Sequence, residues 1–111
     1  MDKVTQYRAC IQQILQHYAT QTHTYGEIET QVIEDIAHDH YQVYYVGWHN
    51  DRRIHGCVLH LDIKDGKIWI QHNSTEERIA TELVKLGIPK DEIVLGFQAP
   101  YRRQFTDYAV Q

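Results

Sequence analysis

The chain has 111 residues, of which 42% are hydrophobic and 23% are charged, and its formal net charge is −4. This length suits one compact domain, so we predict a single domain over residues 1–111. The composition is typical of a folded protein and argues against long disordered stretches. The acidic balance disfavours autonomous DNA binding, because phosphate neutralisation usually requires an excess of Lys and Arg.

The cellular setting is indicated by what the sequence lacks. Its two cysteines, Cys10 and Cys57, lie far apart, whereas small secreted domains usually carry several bridging cysteines. No apolar run resembles a signal peptide or is long enough to span a bilayer. We therefore expect a cytoplasmic protein with reduced thiols and no membrane association.

The first predicted element is a helix. Asp2 can cap it, and apolar residues recur at spacings of three and four, which indicates one buried stripe. These residues are Val4, Tyr7, Ile11, Ile14, Leu15 and Tyr18. Residues 19–27 are predicted to form a loop with its sharpest point at Gly26.

Residues 28–71 are predicted to form a four-stranded antiparallel meander. A weak strand at 28–37 precedes a polar turn at 38–40, and "YQVYYVGW" is a strong strand with apolar residues on both faces. Residues 49–53 turn the chain into the next strand. Asp65-Gly66 is typical of a type I′ hairpin turn, because both residues tolerate positive φ angles.

A second helix is predicted before a last strand. Ser74, Thr75 and Glu77 match a capping box, in which Ser74 and Glu77 satisfy free amides at the helix start. Gly87 is placed to end the helix, and the run at 93–97 can join the sheet. The tail is expected to be loosely helical. The fold class is thus α+β, with an antiparallel meander of four to five strands, an N-terminal helix and a second helix before the last strand.

The polar residues between the fourth strand and the second helix could form an active site. His72 and Glu76 could act as an acid and a base, or the helix start could bind an anion. Helix capping uses most of these side chains without any catalysis, so we favour the structural interpretation. No cysteine lies in a nucleophile motif, and we predict no catalytic residues.

Two metal-dependent alternatives stay weaker. His38 and His40 are two residues apart, as are His60 and Asp62, and such pairs would share one face of a strand. Asp51 followed by Asp62 and Lys64 faintly resembles a magnesium-dependent nuclease. Because eight histidines make such spacings frequent by chance, we predict solvated histidines, no metal and no cofactor.

Surface chemistry suited to partners is the remaining signal. Eight tyrosines and two tryptophans are many for this length, and such rings occur both in cores and at interfaces. The predicted partner-binding residues are Trp48, Trp69, Gln71, Arg102 and Arg103. Because an aromatic sheet on a small domain often leaves an apolar patch to cover, we also expect a homodimer.

Several short motifs follow one another along the second half of the chain. They are "KIWIQ" at 67–71, Thr75-Glu76, Leu83-Val84, "GIPKD" at 87–91 and "IVLGF" at 93–97, and then Pro100, Arg103, Thr106 and Ala109-Val110. With these motifs, and with the opening "YRACIQQILQHYA", the chain resembles the XisI family, the controlling factors for excision of the fdxN DNA element in cyanobacteria. The resemblance covers nearly the whole chain. No catalytic residues of the family can be transferred to this chain.

The resemblance implies an α+β protein that acts with a nuclease-like companion, XisH, and a site-specific recombinase. The first hypothesis is therefore a non-enzymatic accessory factor in programmed excision of a DNA element, with any association with DNA being indirect. The second is a direct DNA-binding accessory that uses Arg52, Arg53, Arg102 and Arg103. The third is a small metal-dependent enzyme built on His38, His40, His60 and Asp62.

Overall fold

The computed structural model describes residues 2–23 and 26–111. Within these ranges the chain forms three α-helices, five strands and one short 3-10 helix, which confirms the α+β class. The helices are α1 (Lys3–Ala19), α2 (Ile79–Lys85) and α3 (Pro100–Arg103), and the 3-10 helix is Lys90–Glu92. The strands are β1 (Glu27–Asp35), β2 (His40–His49), β3 (Arg52–Lys64), β4 (Lys67–Asn73) and β5 (Ile93–Leu95).

Helix α1 has the predicted cap, and five of the six residues of its predicted stripe are buried, whereas Val4 is half-buried. The Asp2 carboxylate accepts a hydrogen bond from the Thr5 amide at 2.9 Å, which satisfies one of the free amides at the helix start. The stripe buries Tyr7, Ile11, Ile14, Leu15 and Tyr18. These side chains pack on one face of the sheet, so the helical spacing of the sequence translates directly into the core.

The sheet has the strand order β1-β2-β3-β4-β5. The first four strands pair antiparallel in sequence order, which confirms the predicted meander. Strand β5 pairs with β4 in parallel, since helix α2 carries the chain back across the sheet before β5 begins. The last strand therefore joins the sheet as expected, but its direction departs from the antiparallel arrangement.

The turns follow the residues that favour them. Asp65 and Gly66 have φ angles of 54° and 75°, as a type I′ turn requires. Gly26 has a φ of 72°, and a Cβ there would lie 2.7 Å from the Trp48 carbonyl oxygen, so the position requires glycine. Gly26 closes the predicted loop at 19–27, of which residues 24 and 25 lie outside the described residues.

The predicted capping box is wrong. Helix α2 begins at Ile79, and its N-cap residue, Arg78, makes no side-chain capping bond. The preceding turn is held by Asn73, which accepts from the Thr75 amide at 2.9 Å and donates to the Glu77 carbonyl at 2.9 Å. An asparagine that bonds the backbone of the following residues offers an alternative to helix. This is why the helix starts one turn later than its polar residues suggest.

The other polar residues of that turn contact neighbouring elements. The Ser74 amide donates to the Val58 carbonyl at 2.9 Å, and the Thr75 hydroxyl accepts from Tyr18 at 3.1 Å. Glu77 lies 2.8 Å from His17 Nε2. The turn therefore connects the end of α1 to the sheet, which is a structural role other than the capping that was predicted.

Helix α2 ends at the glycine. Gly87 has a φ of 99°, its amide donates to the Val84 carbonyl at 3.0 Å, and the Ile88 amide donates to the Leu83 carbonyl at 3.1 Å. These two bonds define a Schellman motif, in which glycine tolerates the left-handed conformation. Ile88 is buried directly after it.

The core lies between the two longer helices and one face of the sheet. On that face β2 and β3 contribute Tyr41, Val43, Leu59 and Leu61, each fully buried. Because side chains alternate along a strand, the residues between them point to the opposite face. We call that opposite surface the open face; His40, His60 and Asp62 lie on it.

Candidate functional site

Two histidines and an aspartate converge on the open face. His40 Nδ1 and His60 Nε2 each lie 2.8 Å from the same carboxylate oxygen, Oδ1 of Asp62. Gln71 Nε2 donates to the other oxygen, Oδ2, at 3.1 Å. We call His40, His60 and Asp62 the histidine–aspartate cluster.

Strand register brings the histidine–aspartate cluster together. His40 pairs with Asp62 across β2 and β3, while His60 lies two residues before Asp62 and therefore on the same face. A register shift between His60 and Leu61 leaves Gln71 as an extra residue in β4. That bulge lets Gln71 reach the Asp62 carboxylate.

The Asp62 carboxylate is largely buried, with 13% of its side chain exposed. Burial by itself would raise its pKa, but hydrogen bonds from His40, His60 and Gln71 outweigh burial and lower the pKa below its ordinary value. The same contact raises the pKa of His40, first through its hydrogen bond to Asp62 and then through the Asp62 charge. Among the described residues, the ion-pair partners of Asp62 are both histidines.

His38, the fourth residue of the predicted metal set, lies apart from the histidine–aspartate cluster. Its Nδ1 lies 2.9 Å from Asp35 Oδ2, and its ring stacks beside that of His40 with the centroids 6.5 Å apart. His38 belongs to the turn before β2, whereas His40 is the first residue of the strand. The structure therefore assembles three of the four predicted residues.

The nuclease-like arrangement is not formed. Asp51 lies in the turn before β3, and Asp62 follows eleven residues later along an extended strand, which separates the two by roughly 30 Å or more. Lys64 Nζ lies 4.5 Å from the centre of the Trp69 ring. One metal ion cannot bridge carboxylates this far apart, so that interpretation was wrong.

The five predicted partner-binding residues separate into two groups. Trp69 is only 8% exposed, and cations of Lys64 and Arg103 lie over its ring at 4.5 and 5.1 Å. Its indole Nε1 has no hydrogen-bond partner among the described residues. Gln71 is engaged by Asp62. Trp69 is therefore largely buried and Gln71 is engaged within the chain, and a contact of either residue with a partner stays a prediction.

Arg103 is also used within the chain. Its guanidinium donates to the carbonyls of Gln98 and Gly96 at 3.1 and 3.4 Å. Arg102 and Trp48 are the two predicted residues that stay exposed. Trp48 lies eight residues from His40 along β2, roughly 25 Å away.

Further exposed aromatic side chains lie in the C-terminal segment. Tyr101 is 64% exposed and Phe105 is 81% exposed. They line a shallow depression together with Gln98, Arg102 and Thr106. We call these five residues the C-terminal surface. The helical spacing of Tyr101 and Phe105 is visible in the sequence, but it does not reveal which side of the short helix stays uncovered.

The fold defines the chain as a small α+β protein with a four-stranded meander, a parallel fifth strand and two helices on one face. The family model described as XisI protein matches residues 1–110. The chain therefore belongs to the XisI family. Among the described residues, no helix is long and apolar enough to cross a membrane.

Two solved structures are similar to this chain in fold and in sequence. A XisI-like protein from Anabaena variabilis ATCC 29413 is 46% identical, with a TM-score of 0.90 over 99% of this chain and 100% of that one. The fdxN element excision controlling factor XisI from the same organism is 35% identical, with a TM-score of 0.84 and the same coverage. No match was found among curated proteins.

Proposed function

We propose that this chain is a non-enzymatic controlling factor that acts in the excision of a DNA element by binding a protein partner. The structural relative that is 35% identical bears the name of an excision controlling factor, and both chains align over nearly their full length. This relationship supports a role of the same kind. The C-terminal surface supports a mechanism that works through a partner.

The exposure of Tyr101 and Phe105 is the observation that carries the proposal. Two large aromatic side chains in one depression leave apolar area in water, which a binding partner could remove. Arg102 lies beside them, with its guanidinium carbon 5.6 Å from the centre of the Tyr101 ring. Tyrosine and arginine are enriched among the residues that dominate binding energy at interfaces.

The segment that carries these rings is held in place before any partner binds. Arg103 bonds back to Gly96 and Gln98, and its guanidinium lies over Trp69. The Ala109 amide donates to the Ile93 carbonyl at 2.9 Å, which ties the chain end to β5. Pre-ordering of this kind reduces the entropy lost on association.

The proposed partner is the nuclease-like XisH companion implied by the family resemblance, with a recombinase acting downstream. Direct DNA binding is less favoured, since the net charge is −4 and Arg103 is already engaged within the chain. Any association with DNA would then pass through the partner. In this proposal the chain itself carries out no chemical step.

Co-expression with a XisH-like protein, followed by size-exclusion chromatography, tests the proposal. We expect one co-eluting complex that withstands dilution to low micromolar concentration. The double variant Tyr101→Ala/Phe105→Ala is expected to weaken it about 100-fold, as for the loss of two central interface residues. Ile36→Ala is the control, because it removes an exposed apolar side chain outside the C-terminal surface and should leave the complex intact. Trp48→Ala tests the prediction that Trp48 contacts the partner.

Separate peaks for the two wild-type proteins at every concentration would contradict the proposal. Disruption by Trp48→Ala with no effect of the double variant would move the contact to the other end of the sheet. A gel-shift series with the isolated chain tests direct DNA binding, which should weaken steeply with salt if it exists. The elution volume of the isolated chain tests the expected homodimer.

A further inference from the structure

We propose that the histidine–aspartate cluster binds a divalent transition-metal ion of the zinc class. The ligands are Nδ1 of His40, Nε2 of His60 and Oδ1 of Asp62, and the remaining coordination position is open to water. This inference stands apart from the proposed partner binding, because it uses other residues on the open face of the sheet.

The ligand atoms already surround one point in space. The three donor atoms lie within 4.8 Å of one another, and both nitrogens lie 2.8 Å from Oδ1 of Asp62. Zinc bonds of about 2.0–2.1 Å in tetrahedral geometry place neighbouring ligand atoms about 3.3 Å apart. Both nitrogen–oxygen distances therefore have to lengthen by about half an ångström, and the two nitrogens, which lie within 4.8 Å of each other, have to come to about 3.3 Å, which rotations about side-chain bonds can provide.

The cluster combines a mobile ligand with fixed ones. His40 lies next to a turn and 56% of its side chain is exposed, so its ring can adjust and admit an ion from solvent. His60 and Asp62 lie inside β3, and their side chains are 28% and 13% exposed. Because the His40 ring can move while the backbone of His60 and Asp62 stays in place, the ion can enter without rearrangement of the sheet.

Gln71 supports the carboxylate from behind. It donates to Oδ2 of Asp62, which leaves Oδ1 directed at the two imidazoles. The Gln71 amide in turn packs against Gly96, where a Cβ would lie 2.4 Å from the amide oxygen. A second layer of bonds that orients a ligating carboxylate is usual at protein metal sites.

The charge of the cluster also favours a cation. Among the described residues, the largely buried Asp62 carboxylate has no Lys or Arg in an ion pair with it, and it is therefore not paired with a permanent cation. A dication supplies that missing charge at short range. Two imidazole nitrogens with a single carboxylate favour zinc, nickel or copper over magnesium or calcium, which prefer sites made of oxygen ligands.

The test uses the full chain without an affinity tag. The chain is titrated with zinc chloride in a calorimeter, and its thermal unfolding is then measured with and without zinc. We expect one zinc per chain and a higher unfolding temperature when zinc is present, because a ligand of the folded state stabilises it. His40→Gln and His60→Gln should lower zinc affinity by about 100-fold or more, and Gln71→Ala by about 10-fold. His40→Gln changes an exposed side chain and is expected to fold.

His38→Gln is the matched control, because it removes a neighbouring exposed histidine outside the ligand set. We expect it to bind zinc as the wild type does. Cobalt provides a second readout, since a tetrahedral site containing these ligands should give intense visible absorption that His40→Gln lacks. Absence of zinc binding by the wild type at about 100-fold molar excess, or equal binding by the wild type and His40→Gln, would overturn the proposal.

Discussion

Asp39 and Asp62 are carboxylates of similar burial, but the side chains that contact them differ in kind. Their side chains are 16% and 13% exposed, respectively. Asp39 faces a permanent cation: Arg8 donates to its two oxygens at 2.7 and 3.1 Å, and Tyr41 donates at 2.8 Å. Asp62 faces two histidines and a glutamine.

Asp39 is paired with a permanent cation and makes a structural contact, whereas the histidines that contact Asp62 can also bind another partner. The Arg8 guanidinium beside Asp39 holds the pKa of that carboxyl below its usual range, although burial opposes the shift. A guanidinium stays charged at all accessible pH values and pairs bidentately with a carboxylate. Imidazoles can instead be neutral and bind metal. The two carboxylates should therefore respond differently to the same substitution.

Of the substitutions at these two carboxylates, Asp39→Asn is expected to lower the free energy of unfolding most. The residue has a φ of 58°, which asparagine tolerates, so the substitution removes charge with little backbone strain. We expect the free energy of unfolding to fall by about 2 kcal/mol, the scale of hydrogen bonds to a charged group. Urea unfolding monitored by tryptophan fluorescence measures it.

The control for this substitution is Asp51→Asn, which neutralises an exposed carboxylate in the turn before β3. It should change the free energy of unfolding by less than about 0.5 kcal/mol. Equal losses in the two variants would show that the contact between Arg8 and Asp39 contributes no more than ordinary surface charge. Zinc binding should be retained in both variants if the ligands are those proposed.

Asp62→Asn should destabilise the chain by less, about 1 kcal/mol in the absence of metal at about pH 8. The substitution weakens bonds to His40 and His60, but it also removes a largely buried negative charge that, among the described residues, no Lys or Arg pairs with. The same variant should lose the rise in unfolding temperature with zinc. A loss as large as that of Asp39→Asn would show that Asp62 is a structural carboxylate of the same kind.

The elements of the fold were predictable because local residue patterns encode them. The apolar stripe of α1, the Asp65-Gly66 turn and the helix end at Gly87 each depend on residues close in sequence, and the structure confirms each. The start of α2 was misjudged because two local motifs competed. The side chain of Asn73 organises the turn, and the sequence offered no measure of which motif is stronger.

The histidine–aspartate cluster depends on strand register, which the sequence does not specify. Near the turn Trp48 pairs with Arg53, and that register, continued along the hairpin, would place His40 opposite Leu61. An irregularity between Val43 and Tyr44 shifts the pairing so that His40 lies opposite Asp62. A one-residue change of register reverses the face of every side chain, so the cluster depends on this bulge.

The exposure of the C-terminal segment has a similar cause. Tyr101 and Phe105 show helical spacing, but so do Tyr7 and Ile11, which are buried. Whether such a stripe is covered depends on what packs against it, and periodicity alone carries no information on that. The contact of Arg103 with Trp69 joins the tail to the sheet, and it links residues 34 positions apart in the sequence.

Glu92 is a third carboxylate for this comparison, and its substitution is expected to change stability the least. Lys3 Nζ lies 2.6 Å from its Oε1, and the Tyr7 hydroxyl donates to the same oxygen at 3.0 Å. The bond from Lys3, aided by that from Tyr7, lowers the pKa of Glu92 below its ordinary value of 4.5, although burial opposes this. Because the pKa is lower in the folded state, the contact stabilises the chain above pH 4.5 and loses its effect as the pH falls through the folded value.

Urea midpoints measured from neutral pH down to about pH 3 for the wild type and Glu92→Gln test this expectation. The wild type should be more stable near neutral pH, and the difference should disappear as the solution is acidified below 4.5. Glu76→Gln, which removes an exposed carboxylate in the turn before α2, is the control and should run close to the wild type throughout. A difference in urea midpoint between the wild type and Glu92→Gln that stays constant with pH would mean that the Glu92 charge contributes nothing to stability. A permanent cation beside a carboxylate would then not be enough to make that carboxylate structural in this fold.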